Sequence, residues 1–221
     1  MPLYRRALES CERVLGAEHP QTLTSVNNLA YCLRALGDAA AALPLYRRAL
    51  AGCERVLGAE HPQTLTSVNN LAGCLRALGD AAAALPLFRR ALAGCERVLG
   101  AEHPQTLTSV NNLAYCLQTL GDAAGALPLY RRALESRERV LGAEHPDTLT
   151  SVNNLAGCLY ALGDAAAALP LYQRAAVGTE RLYGPDHPST RTVRANLDIA
   201  TRATAAAGKV PARPWWQRLL G

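Results

Sequence analysis

The stretch Ala17–Gly58, AEHPQTLTSVNNLAYCLRALGDAAAALPLYRRALAGCERVLG, decides the fold because it returns almost unchanged as Ala59–Gly100. The two blocks differ only at Tyr31/Gly73 and Tyr46/Phe88. Two further blocks, Ala101–Gly142 and Ala143–Gly184, keep the same frame. A constant period of this size predicts a solenoid, in which each unit buries its apolar face against its neighbours.

Each block contains the signals for two helices. His19-Pro20 favours the start of a first helix, since proline suits the first helical turn. Gly37-Asp38 supplies a C-terminal stop followed by a new N-cap, and Gly58 ends the second helix. We name the two helices of a repeat helix A and helix B. The link between them is short, which predicts antiparallel packing.

The period sets the predicted domain organisation. A repeat array covers residues 1–208, with a half repeat at 1–16, full repeats at 17–58, 59–100, 101–142 and 143–184, and a degenerate capping repeat at 185–208. Residues 209–221 form a C-terminal tail that holds both tryptophans, Trp215 and Trp216. The half repeat has no helix A, so its apolar residues lack part of their packing partner. We expect either a fragment of a longer protein or a homo-oligomer formed through this open N-terminal face.

Several runs of small and large residues match the tetratricopeptide repeat: Leu29-Ala30, Leu33, Gly37-Asp38, Ala42, Tyr46 and Ala49-Leu50. The longer unit, with Asn69-Asn70-Leu71-Ala72 and Ala84-Leu85-Pro86-Leu87, resembles the kinesin light chain type of this repeat. The resemblance implies an all-α fold, a right-handed α-solenoid (superhelix) of antiparallel helix pairs. It also implies that helix A of every repeat lines a concave groove that holds peptides.

The groove asparagine of the family matches the second member of each Asn-Asn pair: Asn28, Asn70, Asn112, Asn154 and Asn196. The first members lie on the same arc of helix A: Asn27, Asn69, Asn111 and Asn153. A carboxamide donates and accepts hydrogen bonds without a charge, so a ladder of them suits the backbone of an extended peptide. The alternative is that these asparagines bond across helix–helix contacts and hold the repeats in register.

Two groove positions vary between otherwise near-identical repeats. One reads Tyr31, Gly73, Tyr115 and Gly157, and the other reads Arg34, Arg76, Gln118 and Tyr160. Side-chain specificity for a peptide is expected at these positions, with drift at exposed sites as the alternative. Arg34 and Arg76 favour an acidic ligand. Cargo peptides of the resembling light chains are tryptophan-acidic, and a matching preference here is a hypothesis.

Other function classes receive little support. Seven cysteines lie in a regular series without the close pairs of a zinc site, so we predict buried reduced thiols. Five histidines recur one per repeat beside proline, which indicates helix entry and no metal or cofactor site. The net charge is +5, but basic and acidic side chains alternate along the repeats. This pattern argues against nucleic acid as a partner. No apolar run reaches the length of a membrane span and the N-terminus lacks a secretory signal, so a cytoplasmic location is expected.

The sequence therefore predicts a non-enzymatic protein–protein interaction module that binds an extended peptide in its helix A groove. Two alternatives stay open: a structural, self-assembling scaffold element, and a sensor fragment of a larger signalling ATPase. A structural element predicts concentration-dependent association, and a sensor fragment predicts a catalytic domain upstream in the full gene.

Overall fold

The computed structural model describes residues 1–209, and within that range the chain forms ten α-helices and no strand. The helices are α1 (Pro2–Leu15), α2 (Pro20–Ala35), α3 (Ala39–Leu57), α4 (Pro62–Ala77), α5 (Ala81–Leu99), α6 (Pro104–Thr119), α7 (Ala123–Leu141), α8 (Pro146–Ala161), α9 (Ala165–Tyr183) and α10 (Pro188–Lys209). Helices α2, α4, α6, α8 and α10 are the A helices. The all-α prediction is confirmed, and Trp215 and Trp216 lie outside the described residues.

Helix boundaries follow the predicted signals. The turn after α2 closes with a hydrogen bond from the Asp38 amide to the Leu33 carbonyl (3.0 Å), and Gly37 takes the left-handed conformation with φ 89°. The Asp38 carboxylate then accepts a hydrogen bond from the Ala41 amide (3.0 Å), which caps α3. Pro44 lies inside α3. The same features recur in the next repeat.

The chain divides into two compact units, Met1–Leu129 and Tyr130–Gly221, and the division falls within α7. In the first unit α2 packs on α3, α4 packs on α5, and the A helices follow one another, α2 beside α4 and α4 beside α6. In the second unit α8 packs on α9 and α9 packs on α10. Consecutive helix pairs of this kind are the arrangement that the repeat period predicts.

Small residues let these helices approach closely. In the first unit Ala30, Ala42 and Tyr46 are fully buried in a cluster that spans neighbouring repeats. A Cβ atom at Gly52 of α3 would lie 2.5 Å from Leu23 Cδ2 of α2, so this contact requires glycine. Only 5% of the residues are aromatic, in keeping with a core in which alanine and glycine set the helix spacing.

Helix α1 leaves apolar side chains uncovered. Leu8 is buried against α2, whereas Leu3 and Val14 are 76% and 70% exposed. These two side chains leave apolar surface exposed on α1, and both the open N-terminal face and oligomerisation through it stay predictions.

Candidate functional site

The second asparagines of the first unit present free carboxamides on three successive A helices. Asn28 of α2 is exposed, and Asn70 of α4 and Asn112 of α6 are half-buried. Within residues 1–209, none of these three side chains forms a hydrogen bond. Their donors and acceptors are therefore available to a ligand.

The first asparagines of α2 and α4 lie in the helix–helix contact instead. Asn27 and Asn69 are each 7% exposed. The Asn27 Nδ2 donates to Ser67 Oγ of the next repeat (2.8 Å), and the Asn69 Nδ2 donates to Ser109 Oγ (2.6 Å). These two asparagines therefore bond across the contact between neighbouring repeats and hold the repeats in register.

The remaining asparagines of the two series are half-buried and have partners. In the second unit the Asn196 Nδ2 donates to Asn153 Oδ1 at 3.1 Å. Asn111 and Asn154 also make interactions, so their carboxamides are not free. The candidate ladder is therefore strongest in the first unit, on Asn28, Asn70 and Asn112.

Arginine side chains connect neighbouring A helices on the same surface. The Arg34 guanidinium lies 5.5 Å from the ring centroid of Tyr31, and a Cβ atom at Gly73 of α4 would clash with its Nη1. Arg76 of α4 lies 4.1 Å from the ring centroid of Tyr115 of α6, within cation–π range. For Tyr31, Gly73 and Tyr115 the alternation thus has a packing cause: each tyrosine supports an arginine, and Gly73 leaves room for Arg34.

Gln118 and Tyr160, which occupy the arginine position in the later repeats, are less accessible. Gln118 of α6 is half-buried and has an interaction partner. Tyr160 of α8 packs against a buried cluster of the second unit that includes Ala156 and Tyr172. Tyr31 and Tyr115, by contrast, are 56% and 45% exposed. An accessible polar and aromatic surface is therefore found on α2, α4 and α6.

Burial and nearby arginines have opposite effects on the pKa of tyrosine and cysteine side chains beneath this surface. Burial raises the pKa of the Tyr46 hydroxyl to about 12, and the positive charge of Arg34 opposes this rise. Burial likewise raises the pKa of the Cys74 and Cys116 thiols, opposed by Arg34 and Arg76 respectively. The thiols therefore stay protonated at neutral pH, and the Cys74 Sγ donates to the Ala39 carbonyl (3.2 Å). The seven cysteines are free; five are buried, as predicted, whereas Cys11 and Cys32 are only half-buried.

A family model for the tetratricopeptide repeat matches this chain in five overlapping segments, residues 2–55, 25–95, 66–139, 108–176 and 147–204. The chain belongs to the tetratricopeptide repeat family. Repeats of this family generally form protein-interaction modules and non-catalytic scaffolds.

Solved structures place the chain near kinesin-light-chain-type arrays. A protein assigned as a kinesin light chain with nearly identical repeats, from Podospora anserina, shares 28% identity and superposes with a TM-score of 0.72 over 85% of this chain and 89% of that chain. A variant of that protein with one substitution gives the same values. BtubC (BKLC) from P. vanneervenii shares 22% identity and has a TM-score of 0.71 over 96% of this chain and 92% of that chain, which shows a common fold. No curated protein sequence matches closely enough to count as a relative.

The repeated histidines of this tetratricopeptide array start its A helices. In α2, α4, α6 and α8 the histidine before the proline is the N-cap, and its Nδ1 accepts a hydrogen bond from a backbone amide, as from Gln63 to His61 (3.1 Å). The predicted role in helix entry is confirmed. Among the described residues no group of three or more His, Cys, Asp or Glu side chains is arranged to hold a metal ion.

Gln63 and Gln105 have a role that the repeat pattern did not reveal. The Gln63 Nε2 donates to both the Pro20 carbonyl and Thr24 Oγ1 of the preceding A helix, each at 2.9 Å. Gln105 makes the same two bonds to α4. A signal existed in the sequence, since this position reads Gln, Gln and Gln and then changes to Asp147 and Ser189.

A buried arginine, Arg137, is a second feature that the repeat pattern did not reveal. Arg137 occupies the position that Cys53 and Cys95 hold in earlier repeats, and it is 6% exposed. Its Nη1 donates to Ser151 Oγ (2.8 Å) and to the Asp147 carbonyl (3.1 Å). Burial lowers the pKa of Arg137, and the negative charge of Asp147 opposes that effect. Arg137 replaces the cysteine and Asp147 replaces the glutamine of the earlier repeats, and the two changes occur in adjacent repeats. This paired change was the sign in the sequence that the two positions are in contact.

Ion pairs account for part of the basic composition. Arg48 of α3 pairs with Glu12 of α1 (2.6 Å), and Arg90 of α5 pairs with Glu54 of α3 (2.7 Å). These side chains are about one-third exposed, so each pair contributes little to stability, on the order of 0–1 kcal/mol. In the described part of the chain no helix combines the length and the apolar character needed to cross a bilayer.

Proposed function

We propose that this protein binds an extended peptide along the A helices of its first unit. We name this surface the ladder face; it consists of Asn28, Asn70, Asn112, Tyr31, Arg34, Arg76 and Tyr115. The observation that carries the proposal is the row of three carboxamides without intramolecular hydrogen bonds on α2, α4 and α6.

The spacing of the ladder suits an extended backbone. Packed helices lie about 8–10 Å apart, and an extended chain advances about 3.3 Å per residue. Successive asparagines therefore meet a peptide about every third residue. Each carboxamide can donate to a peptide carbonyl and accept from a peptide amide, which gives affinity that does not depend on the peptide side chains.

The two arginines add a preference for acidic side chains. Arg34 and Arg76 each lie over a tyrosine ring, which leaves guanidinium N–H groups for a carboxylate. Stacking also restricts the arginine side chains, so less conformational entropy is lost on binding. An acidic peptide is therefore the ligand that this part of the proposal names.

Substitution of the second asparagines tests the ladder. Peptides selected from a random display library on the native chain serve as the probe. Asn70→Ala combined with Asn112→Ala is expected to weaken binding by about 1–3 kcal/mol, or about 5- to 150-fold, with helicity unchanged.

The first asparagines supply the matched control. Asn27→Ala combined with Asn69→Ala removes the same chemical groups from the buried contact, so stability should fall while a folded sample still binds. Equal loss of stability in both double variants, without a specific loss of binding in the first, would refute the ladder. Arg34→Gln with Arg76→Gln should weaken acidic peptides only, since Gln118 shows that glutamine is accepted at this position.

A second candidate function is self-assembly through α1. It is favoured by the exposed apolar side chains of Leu3 and Val14. Light scattering over a wide protein concentration range should then show association that Leu3→Glu reduces. A mass that stays monomeric at all concentrations would eliminate this candidate.

A further inference from the structure

The second unit contains a cavity that plays no part in the proposed function. Its volume is about 310 Å³. It lies where α8, α9 and α10 meet, and its lining residues are Leu149, Thr150, Asn153, Thr179, Pro188, Ser189, Thr192 and Val193. Leu149, Thr179 and Val193 are buried and form the floor, whereas Thr150, Ser189 and Thr192 are exposed at the rim.

The cavity arises because a repeated glutamine is missing. Between α2 and α4 the corresponding space holds the Gln63 side chain, and between α4 and α6 it holds Gln105. In α10 this position is Ser189, whose side chain is much shorter. Val193 also replaces the serine that stands at Ser67 and Ser109, so the floor loses a hydroxyl group. The space that a glutamine carboxamide fills between A helices of the first unit is therefore left empty beside α10.

The hydrogen-bonding groups that served the glutamine are retained. Thr150 Oγ1 donates to the Pro146 carbonyl (2.9 Å), just as Thr24 Oγ1 donates to the Pro20 carbonyl (3.0 Å). In the first unit both of those oxygens also accept from Gln63 Nε2. Within the described residues, Thr150 Oγ1 accepts no hydrogen bond and Ser189 Oγ forms none. One acceptor, Thr150 Oγ1, and one hydroxyl donor, Ser189, thus face the same space, which is also lined by the Asn153 carboxamide, whose Oδ1 accepts from Asn196 Nδ2 (3.1 Å).

We propose that this cavity binds a primary carboxamide. The amide NH₂ donates to Thr150 Oγ1 and the Pro146 carbonyl, and the amide oxygen accepts from the Ser189 hydroxyl. An aliphatic stem packs on Leu149 and Val193. The volume lies at the lower end of the range for small-molecule sites, about 300–1,000 Å³. This inference is independent of the ladder face, which lies on the first unit.

Other ligand classes fit this lining poorly. A carboxylate has no proton to donate to Thr150 Oγ1 or to the Pro146 carbonyl. An ammonium group has donors, but no carboxylate lines the cavity, so its desolvation is not compensated. The carboxamide can come from a glutamine side chain of a peptide or from a free small amide, and the experiment below distinguishes these sources.

The test is a nuclear magnetic resonance titration of the full ¹⁵N-labelled chain with butyramide. We expect saturable shifts at the amides of Thr150, Ser189, Thr192 and Val193, with much weaker effects from butyrate and butylamine. Ser189→Gln places the protein's own carboxamide in the cavity, and it should reduce butyramide affinity about tenfold or more. This variant should fold, since Gln63 and Gln105 occupy the same position elsewhere.

A second titration uses N-acetyl-Gly-Gln-Gly-amide and its Glu analogue. Tighter binding of the Gln peptide than of butyramide assigns the cavity to a peptide side chain, and tighter binding of butyramide assigns it to a free small amide. The proposal is overturned if no probe gives saturable shifts, if butyrate binds as well as butyramide, or if Ser189→Gln binds butyramide like the native chain.

Discussion

At the scale of single residues, the positions where nearly identical repeats differ are the informative ones. Tyr46 and Phe88 occupy equivalent places on α3 and α5, and both are buried. The Tyr46 hydroxyl has no hydrogen-bond partner among the described residues. Leaving a buried hydroxyl unpaired costs free energy, so the phenylalanine at position 88 is the better fit to this environment.

Tyr46→Phe should therefore raise the free energy of unfolding by about 1 kcal/mol at pH 7. The substitution also removes a pH dependence. Because burial raises the Tyr46 pKa from 10.0 to about 12, the unfolded state loses this proton at lower pH than the folded state. Stability from this group is present below pH 10 and falls as the pH rises towards 12, by about 1 kcal/mol at pH 11.

Urea unfolding at pH 7 and pH 11 measures both effects in Tyr46→Phe. The buried cysteines, whose pKa is also raised, are present in both proteins and cancel in the comparison. Phe88→Tyr is the reciprocal control and should lower stability. A Tyr46→Phe protein that is less stable than the native chain at pH 7 would mean that the hydroxyl is satisfied.

At the scale of helices, histidine acts as an N-cap in place of the usual Ser, Thr, Asp or Asn. His61 precedes Pro62 at the first turn of α4, and its neutral ring nitrogen accepts from the Gln63 amide. The proline sets the backbone angle of the first turn and needs no donor there. Together these two residues start each A helix at the same place, which keeps Asn70 in register with Asn28 and Asn112.

His61→Ala should lower the free energy of unfolding by about 1 kcal/mol, since it removes a side-chain cap. Denaturant unfolding followed by circular dichroism measures the loss. His61→Asn is the matched variant and should retain most of the stability, because asparagine caps helices well. Equal losses in the two variants would show that the histidine contributes by packing and not by capping.

Across the molecule as a whole, contacts between neighbouring repeats stabilise the fold. In the first unit each A helix is tied to the next by a buried bond such as Asn69 to Ser109 and by the two bonds of Gln105. The ion pairs between α1 and α3 and between α3 and α5, whose side chains are about one-third exposed, add little. Stability in repeat proteins is therefore a sum of the repeats and their interfaces.

A double-mutant cycle on Asn69 and Ser109 tests this interface. Each single alanine substitution should cost about 1–2 kcal/mol, because it leaves a buried polar group without its partner. The double variant should cost less than the sum, with a coupling of about 0.5–3 kcal/mol. Additive losses, measured by denaturant unfolding, would contradict a direct bond.

The candidate site was predictable only in part. The family resemblance indicated the second asparagine of each pair and the arc of helix A indicated the first, but burial divides them: Asn70 is available on α4, whereas Asn69 is enclosed against α6. The two residues are adjacent in sequence and identical in chemistry. Only the direction of each side chain relative to the next helix distinguishes them, and a single repeat contains no information on that direction.

The sequence alone determined the fold class, the helix boundaries and the repeat frame, since proline, glycine and aspartate act on the backbone within a few residues. Tertiary structure decided which side chains are free, as it did for the support of Arg76 by Tyr115 and for the space left by Ser189. These features depend on atoms that are a whole repeat apart in sequence. Local patterns specify helices, whereas contacts between repeats specify the surfaces and cavities that a ligand can use.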